Sequence, residues 1–140
     1  MYFKKQHRLK VRVYYEDTDS GGIVYHSKYL NFAERSRTEF LRKNNLEQKK
    51  IKDKYGIVFV VKSLQIDYIN FACLDDLLVI KTIVQDLNKA KVIFKQLIYK
   101  NKNIIAKILA TVCCINNNGK ICRMNDKIYY TLKMTGKETL

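Results

Sequence analysis

The stretch Val13-Tyr14-Tyr15-Glu16-Asp17-Thr18-Asp19-Ser20-Gly21-Gly22-Ile23-Val24-Tyr25-His26-Ser27-Lys28-Tyr29 joins an alternating apolar segment to a helical one through a turn rich in Asp, Ser and Gly. Upstream, Leu9 to Tyr15 sets Leu9, Val11 and Val13 against Lys10 and Arg12, the period of a half-buried strand. The run Asp17 to Gly22 ends that strand, because these residue types favour turns and glycine takes positive φ without a steric cost. If the alternation persists into the turn, Tyr15, Asp17 and Asp19 share one side. Downstream, Ser27 is placed to cap a helix running to about Arg42. Its apolar stripe is Tyr29, Leu30, Phe32, Ala33, Phe40 and Leu41, and Glu39 stands four residues from both Arg35 and Lys43. Asn44-Asn45 closes this helix, and a short second one is expected from about Leu46 to Lys54.

After Gly56 the character changes. Ile57 to Phe71, Leu77 to Asp86, Lys91 to Tyr99 and Ile104 to Ile115 are rich in Val, Ile, Phe and Tyr and partly alternate. In the third of these, Val92, Phe94, Gln96 and Ile98 oppose Lys91, Ile93, Lys95 and Leu97. Asn88-Lys89, Asn101-Lys102-Asn103 and Asn118-Gly119 separate or follow the strands, Asn118-Gly119 being the strongest hairpin signal. One strand, a long helix and then four or five antiparallel strands indicate an α+β domain. One helix leaves much of a long sheet uncovered, so a partner chain is expected at its edges.

At 140 residues the chain has room for one core, and residues 1–140 are read as a single domain. No apolar run approaches the ~18 residues of a membrane span. Met1-Tyr2-Phe3-Lys4-Lys5 lacks a signal-peptide stretch, so the expectation is a cytoplasmic protein without membrane insertion. Cys73, Cys113, Cys114 and Cys122 form no C-x-x-C pair and only two histidines occur, so no metal and no disulfide are expected. The net charge is +14 with a pI of about 9.7, which permits attraction to nucleic acid, an anionic membrane or a phosphorylated small molecule. The excess is scattered lysine without an arginine-rich block, so no specific nucleic-acid partner is expected.

The turn also carries chemistry. A helix start offers unpaired amides and a partial positive charge. An Asp beside such donors, with a His seven residues on, suits acyl transfer: the carboxylate attacks or activates water while the amides hold the oxyanion. The same residues serve equally as turn and cap, and by themselves leave both readings open.

The segment from Tyr14 to His26, followed by Tyr29-Leu30 and Glu34-Arg35-Ser36-Arg37-Thr38-Glu39-Phe40-Leu41, resembles the YbgC family of acyl-CoA thioesterases, related to 4-hydroxybenzoyl-CoA thioesterase. Phe59-Val60-Val61, Leu74-Asp75-Asp76 and the strand order extend the resemblance over nearly the whole chain. It implies a hotdog fold, an antiparallel sheet of about five or six strands wrapped around one long central helix. It further implies dimers or tetramers, with active sites at the dimer interface and no cofactor. By the resemblance Asp19 is the catalytic carboxylate, His26 the helix-entry residue whose amide faces the thioester carbonyl, and Tyr15 a tyrosine near the site.

Val60, with Phe59 and Val61, is a candidate lining of an acyl pocket or part of the core. Lys62, Lys89 and Lys91 are candidate contacts for the CoA phosphates, or solvated edge and turn lysines. Glu16 and Asp17 are read as holding the turn, Asp75 and Asp76 as turn residues, and His7 stays unassigned. Two rivals to thioester hydrolysis stand beside it: a hotdog hydratase or dehydratase, and a non-catalytic basic module binding acyl carrier protein or nucleic acid. The acyl carrier protein could equally present the thioester, since it is acidic and this chain is basic.

Overall fold

The computed structural model describes residues 6–136. Five long or edge strands form the sheet: β1 His7–Arg12, β2 Val58–Tyr68, β3 Leu77–Leu87, β4 Val92–Lys100 and β5 Asn103–Ile115. A sixth, β6 Ile121–Cys122, pairs with the end of β5. All neighbours are antiparallel, in the order β1-β3-β4-β5-β2. Helix α1, Lys28–Lys43, lies on one face of the sheet, α2 is Gln48–Tyr55, and α3 is Asp126–Gly136.

The strands obey the alternation read from the sequence. On β4, Val92, Phe94, Gln96 and Ile98 are buried under α1 and the residues between them are only partly covered. Helix α1 spans both halves of the core. Tyr29, Phe32 and Ala33 pack with Leu78, Ile80, Ile98 and Ile105, while Phe40 and Leu41 pack with Val84, Phe94, Ala110 and Val112. Each such side chain contributes roughly 1.5–3 kcal/mol of apolar transfer.

The turns follow from their asparagines. The Asn88 side chain accepts from the amides of Ala90 and Lys91, at 2.8 and 2.9 Å, and closes β3 onto β4. Asn101 takes φ 57° between β4 and β5, and Gly119 takes φ 73° between β5 and β6.

Several local expectations differ from the structure. The first strand ends at Arg12, because residues 15–17 form a short 3₁₀ turn. Tyr15, Asp17 and Asp19 therefore share no face: Asp17 is 5% exposed, Tyr15 is 81% exposed, and Asp19 is exposed. Ser27 occupies the cap position of α1 in a helical conformation (φ −75°, ψ −18°), so its side chain makes no capping bond. Glu39 pairs with Arg42, three residues on, rather than with Arg35 or Lys43. Helix α3 was not anticipated. It closes the far end of the core through Ile128 and Leu132, so the sheet is covered by more than one helix.

Candidate active site

The chain from Thr18 to Val24 doubles back on itself. Thr18 bridges Val24, the Asp19 amide donates to the Ile23 carbonyl at 2.9 Å, and the Gly22 amide to the Asp19 carbonyl at 3.0 Å. Gly22 sits at φ 82°, where a Cβ is strained. The Asp19 side chain accepts from the Gly21 amide through Oδ1 at 2.8 Å, and a Cβ on Gly21 would lie 3.2 Å from that oxygen. Oδ2 accepts from no described residue. One short loop thus fixes Asp19 on one arm and leads directly into His26 on the other.

Asp17 holds the base of this loop. Its buried carboxylate accepts from the Tyr14 amide at 2.8 Å, and its carbonyl accepts from the Tyr25 amide at 2.9 Å. The turn role read for Asp17 stands on these two bonds. The segment between β2 and β3 forms the other wall: Ile23 bridges Cys73, and the Val24 amide donates to the Ala72 carbonyl at 2.8 Å. Buried Tyr29, on the first turn of α1, accepts from the Ala72 amide at 3.0 Å through its hydroxyl. Burial raises the pKa of that phenol, which keeps it neutral.

The entry to α1 has open donors. The amides of His26 and Ser27 lie in the turn that leads into α1, closed by the Lys28 amide on the Tyr25 carbonyl at 2.8 Å, and donate to no described residue. The His26 carbonyl is instead engaged, accepting from the Tyr68 hydroxyl at 2.7 Å. Tyr68 in turn stands edge-on to Tyr29, with ring centres 5.6 Å apart. Sequence reasoning missed Tyr68: a tyrosine late in a strand carries no local sign that it clamps a helix start. The His26 ring lies 4.4 Å from that of Tyr25.

Next to this site, Asp76 accepts from the Cys73 amide at 2.7 Å and pairs with Lys100 at 2.8 Å. Both Asp75 (φ 71°) and Asp76 lie in the turn expected of them.

The remaining candidates are spread out. Tyr15 neighbours the loop, and its carbonyl accepts from Thr18, but no described bond involves its hydroxyl. Val60 is eight residues back along β2 from Tyr68, about 26 Å at strand rise. Lys62 occupies a bulge between Val61 and Ser63 on that edge strand. Lys89 and Lys91 lie beyond the far end of β3, about 35 Å from the Asp76 turn, and Lys89 is held by Asp126 at 2.5 Å. Within one chain these two lysines cannot reach Asp19.

The model of the thioesterase-like superfamily matches residues 13–132, from just past β1 into the last helix. The chain belongs to this superfamily. Within it the chain is similar to the acyl-CoA thioesterase YbgC of Haemophilus influenzae, 46% identical over 76% of this chain and 78% of that one. It is also 41% identical to the acyl-CoA thioesterase YbgC of Helicobacter pylori, over 68% of each chain. A probable thioesterase from Bartonella henselae superposes with a TM-score of 0.82 at 33% identity, covering 86% of this chain and 99% of that structure. Sheet, central helix and these relatives together make the fold a hotdog. No cluster of His, Cys, Asp and Glu among the described residues has metal-binding geometry, and none of the described helices is long and apolar enough to cross a membrane.

Proposed function

We propose that the chain is a hotdog acyl-CoA thioesterase in which Asp19 is the catalytic carboxylate. The observation that carries this reading is one loop bearing a carboxylate with a free oxygen on one arm and open helix-start amides on the other. The thioester carbonyl docks against the amides of His26 and Ser27, which stabilise the oxyanion, each such donor being worth roughly 3 kcal/mol elsewhere. Asp19 Oδ2 then takes a proton from the attacking water, or attacks the carbonyl carbon to give an acyl anhydride that water hydrolyses to the free acid. Thiolate leaves readily, so no dedicated acid is needed. The His26 imidazole and the exposed Tyr15 hydroxyl orient water or substrate. The YbgC relatives of H. influenzae and H. pylori, thioesterases by name, favour hydrolysis over hydration or simple binding.

The site needs a second copy. The outer edge of β2 pairs with no described strand, and Val61, Leu64 and Tyr68 along it are exposed. Two-fold antiparallel pairing of this edge sets the start of β2 in one subunit beside the end of β2 in its partner. Val60 and Lys62 then approach the partner's helix entry, where Val60 lines the acyl group and Lys62 meets the CoA phosphates. Lys89 and Lys91 enter only from a neighbouring subunit, as in a dimer of dimers. The working form is thus a cytoplasmic homodimer or homotetramer acting as one domain per chain, with acyl carrier protein as a second possible thioester donor.

Thiol release from short-chain, long-chain and aromatic acyl-CoAs, run beside Asp19→Asn, tests this reading. Turnover that collapses in a folded variant is expected; near wild-type turnover would end the mechanism.

A further inference from the structure

We propose that the cleft beside Arg37 receives the far end of the acyl group and selects acyl chains that terminate in a carboxylate. This rests on the thioesterase reading above and adds the substrate class to it. Arg37 is only 7% exposed, yet it forms no ion pair with any described carboxylate. Its one described bond is from Nη1 to the Gln96 side-chain oxygen at 2.8 Å. A guanidinium has five donors, and one so little exposed without an anion is rare; the nitrogens that Gln96 does not engage are not sealed from solvent, so an entering ligand can reach them.

The cleft that Arg37 lines has a volume of about 70 Å³, and its other walls include Leu41, Phe59, Val60, Val61 and Phe94. It is a mixed slot, with Glu34, Thr38 and Gln48 beside the apolar walls and the Arg37 cation. That volume suits a carboxylate with one or two methylenes, and a planar carboxylate matches the guanidinium fork. The slot opens along the start of β2, the edge that the proposed pairing brings to the partner's Asp19 and His26. Burial lowers the Arg37 pKa and the charge of Glu34 opposes this, but arginine stays protonated throughout. Glu34 is exposed at the cleft and makes no ion pair with Arg37. Its charge disfavours an entering anion, which gives the idea a second handle.

Glutaryl-CoA, a monothioester of a short dicarboxylic acid, is compared with hexanoyl-CoA in the intact protein. Wild type is expected to favour glutaryl-CoA by about tenfold or more in kcat/KM, the scale of one buried charged hydrogen-bond pair. Arg37→Gln abolishes that preference, chiefly through the KM for glutaryl-CoA, while hexanoyl-CoA turnover persists. Arg37→Lys restores part of it. Glu34→Gln, at an exposed position that leaves the core intact, lowers the glutaryl-CoA KM.

A wild-type preference for hexanoyl-CoA, or a preference unmoved by Arg37→Gln, overturns the assignment. If Arg37→Gln does not fold, Glu34→Gln decides: an unchanged or raised glutaryl-CoA KM shows that no substrate carboxylate enters the cleft and sinks the idea. Hexanoyl-CoA hydrolysis that depends on Asp19 preserves the thioesterase reading in either case, and cleavage of neither substrate removes both.

Discussion

The loop that carries Asp19 and the polar cluster under α1 both rest on hydrogen bonds, yet they face opposite surroundings. Around Asp19 most bonds are backbone to backbone, the Asp17, Thr18 and Asp19 side chains bond only to backbone groups, and the Asp19 side chain is exposed. Under α1 they are made by buried side chains. Gln96, fully buried, donates from Nε2 to the Ala33 carbonyl at 2.8 Å and to Thr82 Oγ1 at 2.9 Å, and accepts from Arg37. Thr82 in turn shares a 2.7 Å bond with Ser36. The first region is shaped by chain geometry and leaves its functional atom open to ligand. In the second, Gln96, Thr82 and Ser36 fix how α1 sits on the sheet, while Arg37 at its margin keeps donors to spare. Function and stability should therefore separate when each is mutated.

Asp19→Asn tests the separation most severely. The substitution keeps an acceptor for the Gly21 amide, so the melting temperature should stay within about 2 °C of wild type, the range of a neutral surface change. Acyl-CoA turnover should fall about 10³-fold or more, roughly 4 kcal/mol in barrier. A large loss of stability in this variant would erase the contrast between the two regions.

Gln96→Leu should do the reverse. It leaves the Arg37 guanidinium without its described partner and takes one bond each from the Ala33 carbonyl and Thr82, and a cost of about 3 kcal/mol is expected in denaturant unfolding. Arg37→Met should cost less, about 1 kcal/mol, because it removes the buried charge instead of orphaning it. The order of these two values sharpens the claim: were Arg37→Met the worse, the cation would be stabilising the core and not waiting for a ligand.

Tyr68→Phe lies between the two regions. It removes the 2.7 Å bond to the His26 carbonyl but leaves the ring against Tyr29. Loss of about 1 kcal/mol of positioning predicts a fall of roughly fivefold in kcat, with little change in melting temperature. Equal losses in Tyr68→Phe and Tyr68→Ala would show that the ring, and not the hydroxyl, sets the helix entry.

The same division explains what the sequence disclosed. Strand alternation, the stripe on α1 and the asparagine turns are local patterns enforced by burial, and β3, β4 and β5 lie within a residue or two of where they were read. The loop announced itself because Asp, Gly-Gly and His are unusual together in so short a run. Tyr68 and the Arg37–Gln96 bond join residues 42 and 59 positions apart, and the bulge at Lys62 lies on cross-strand register; none of these is written in neighbouring residues. Tyr15 was placed on a strand because apolar alternation runs up to it; the Asp17 side chain captures the Tyr14 amide and turns the chain first. Helix α3 was missed because its apolar stripe is short, Ile128 and Leu132 being its buried aliphatic residues, one turn apart around Tyr129, Tyr130 and Thr131.

The ion pair behind the loop should give the smallest effect, and its pH dependence has a definite sign. Burial alone would raise the Asp76 carboxyl, but the Lys100 hydrogen bond, the Cys73 amide and the Lys100 charge together bring it below its ordinary 3.8. The Lys100 ammonium is raised above its ordinary 10.5, first by that hydrogen bond. A carboxyl lowered on folding stabilises the native state above its ordinary pKa, and that contribution is lost as pH falls through the folded value. An ammonium raised on folding stabilises below its ordinary pKa and loses the contribution as pH rises through the folded value. Asp76→Asn keeps the acceptor for the Cys73 amide and removes only the charge. Its melting temperature should therefore trail wild type by a small, constant margin between about pH 5 and 9, since a surface pair of this kind contributes little. The margin should close toward pH 3 and again above pH 11, where one partner is discharged. A gap that widened in acid would mean that the Cys73 turn, and not the pair with Lys100, is what Asp76 supports.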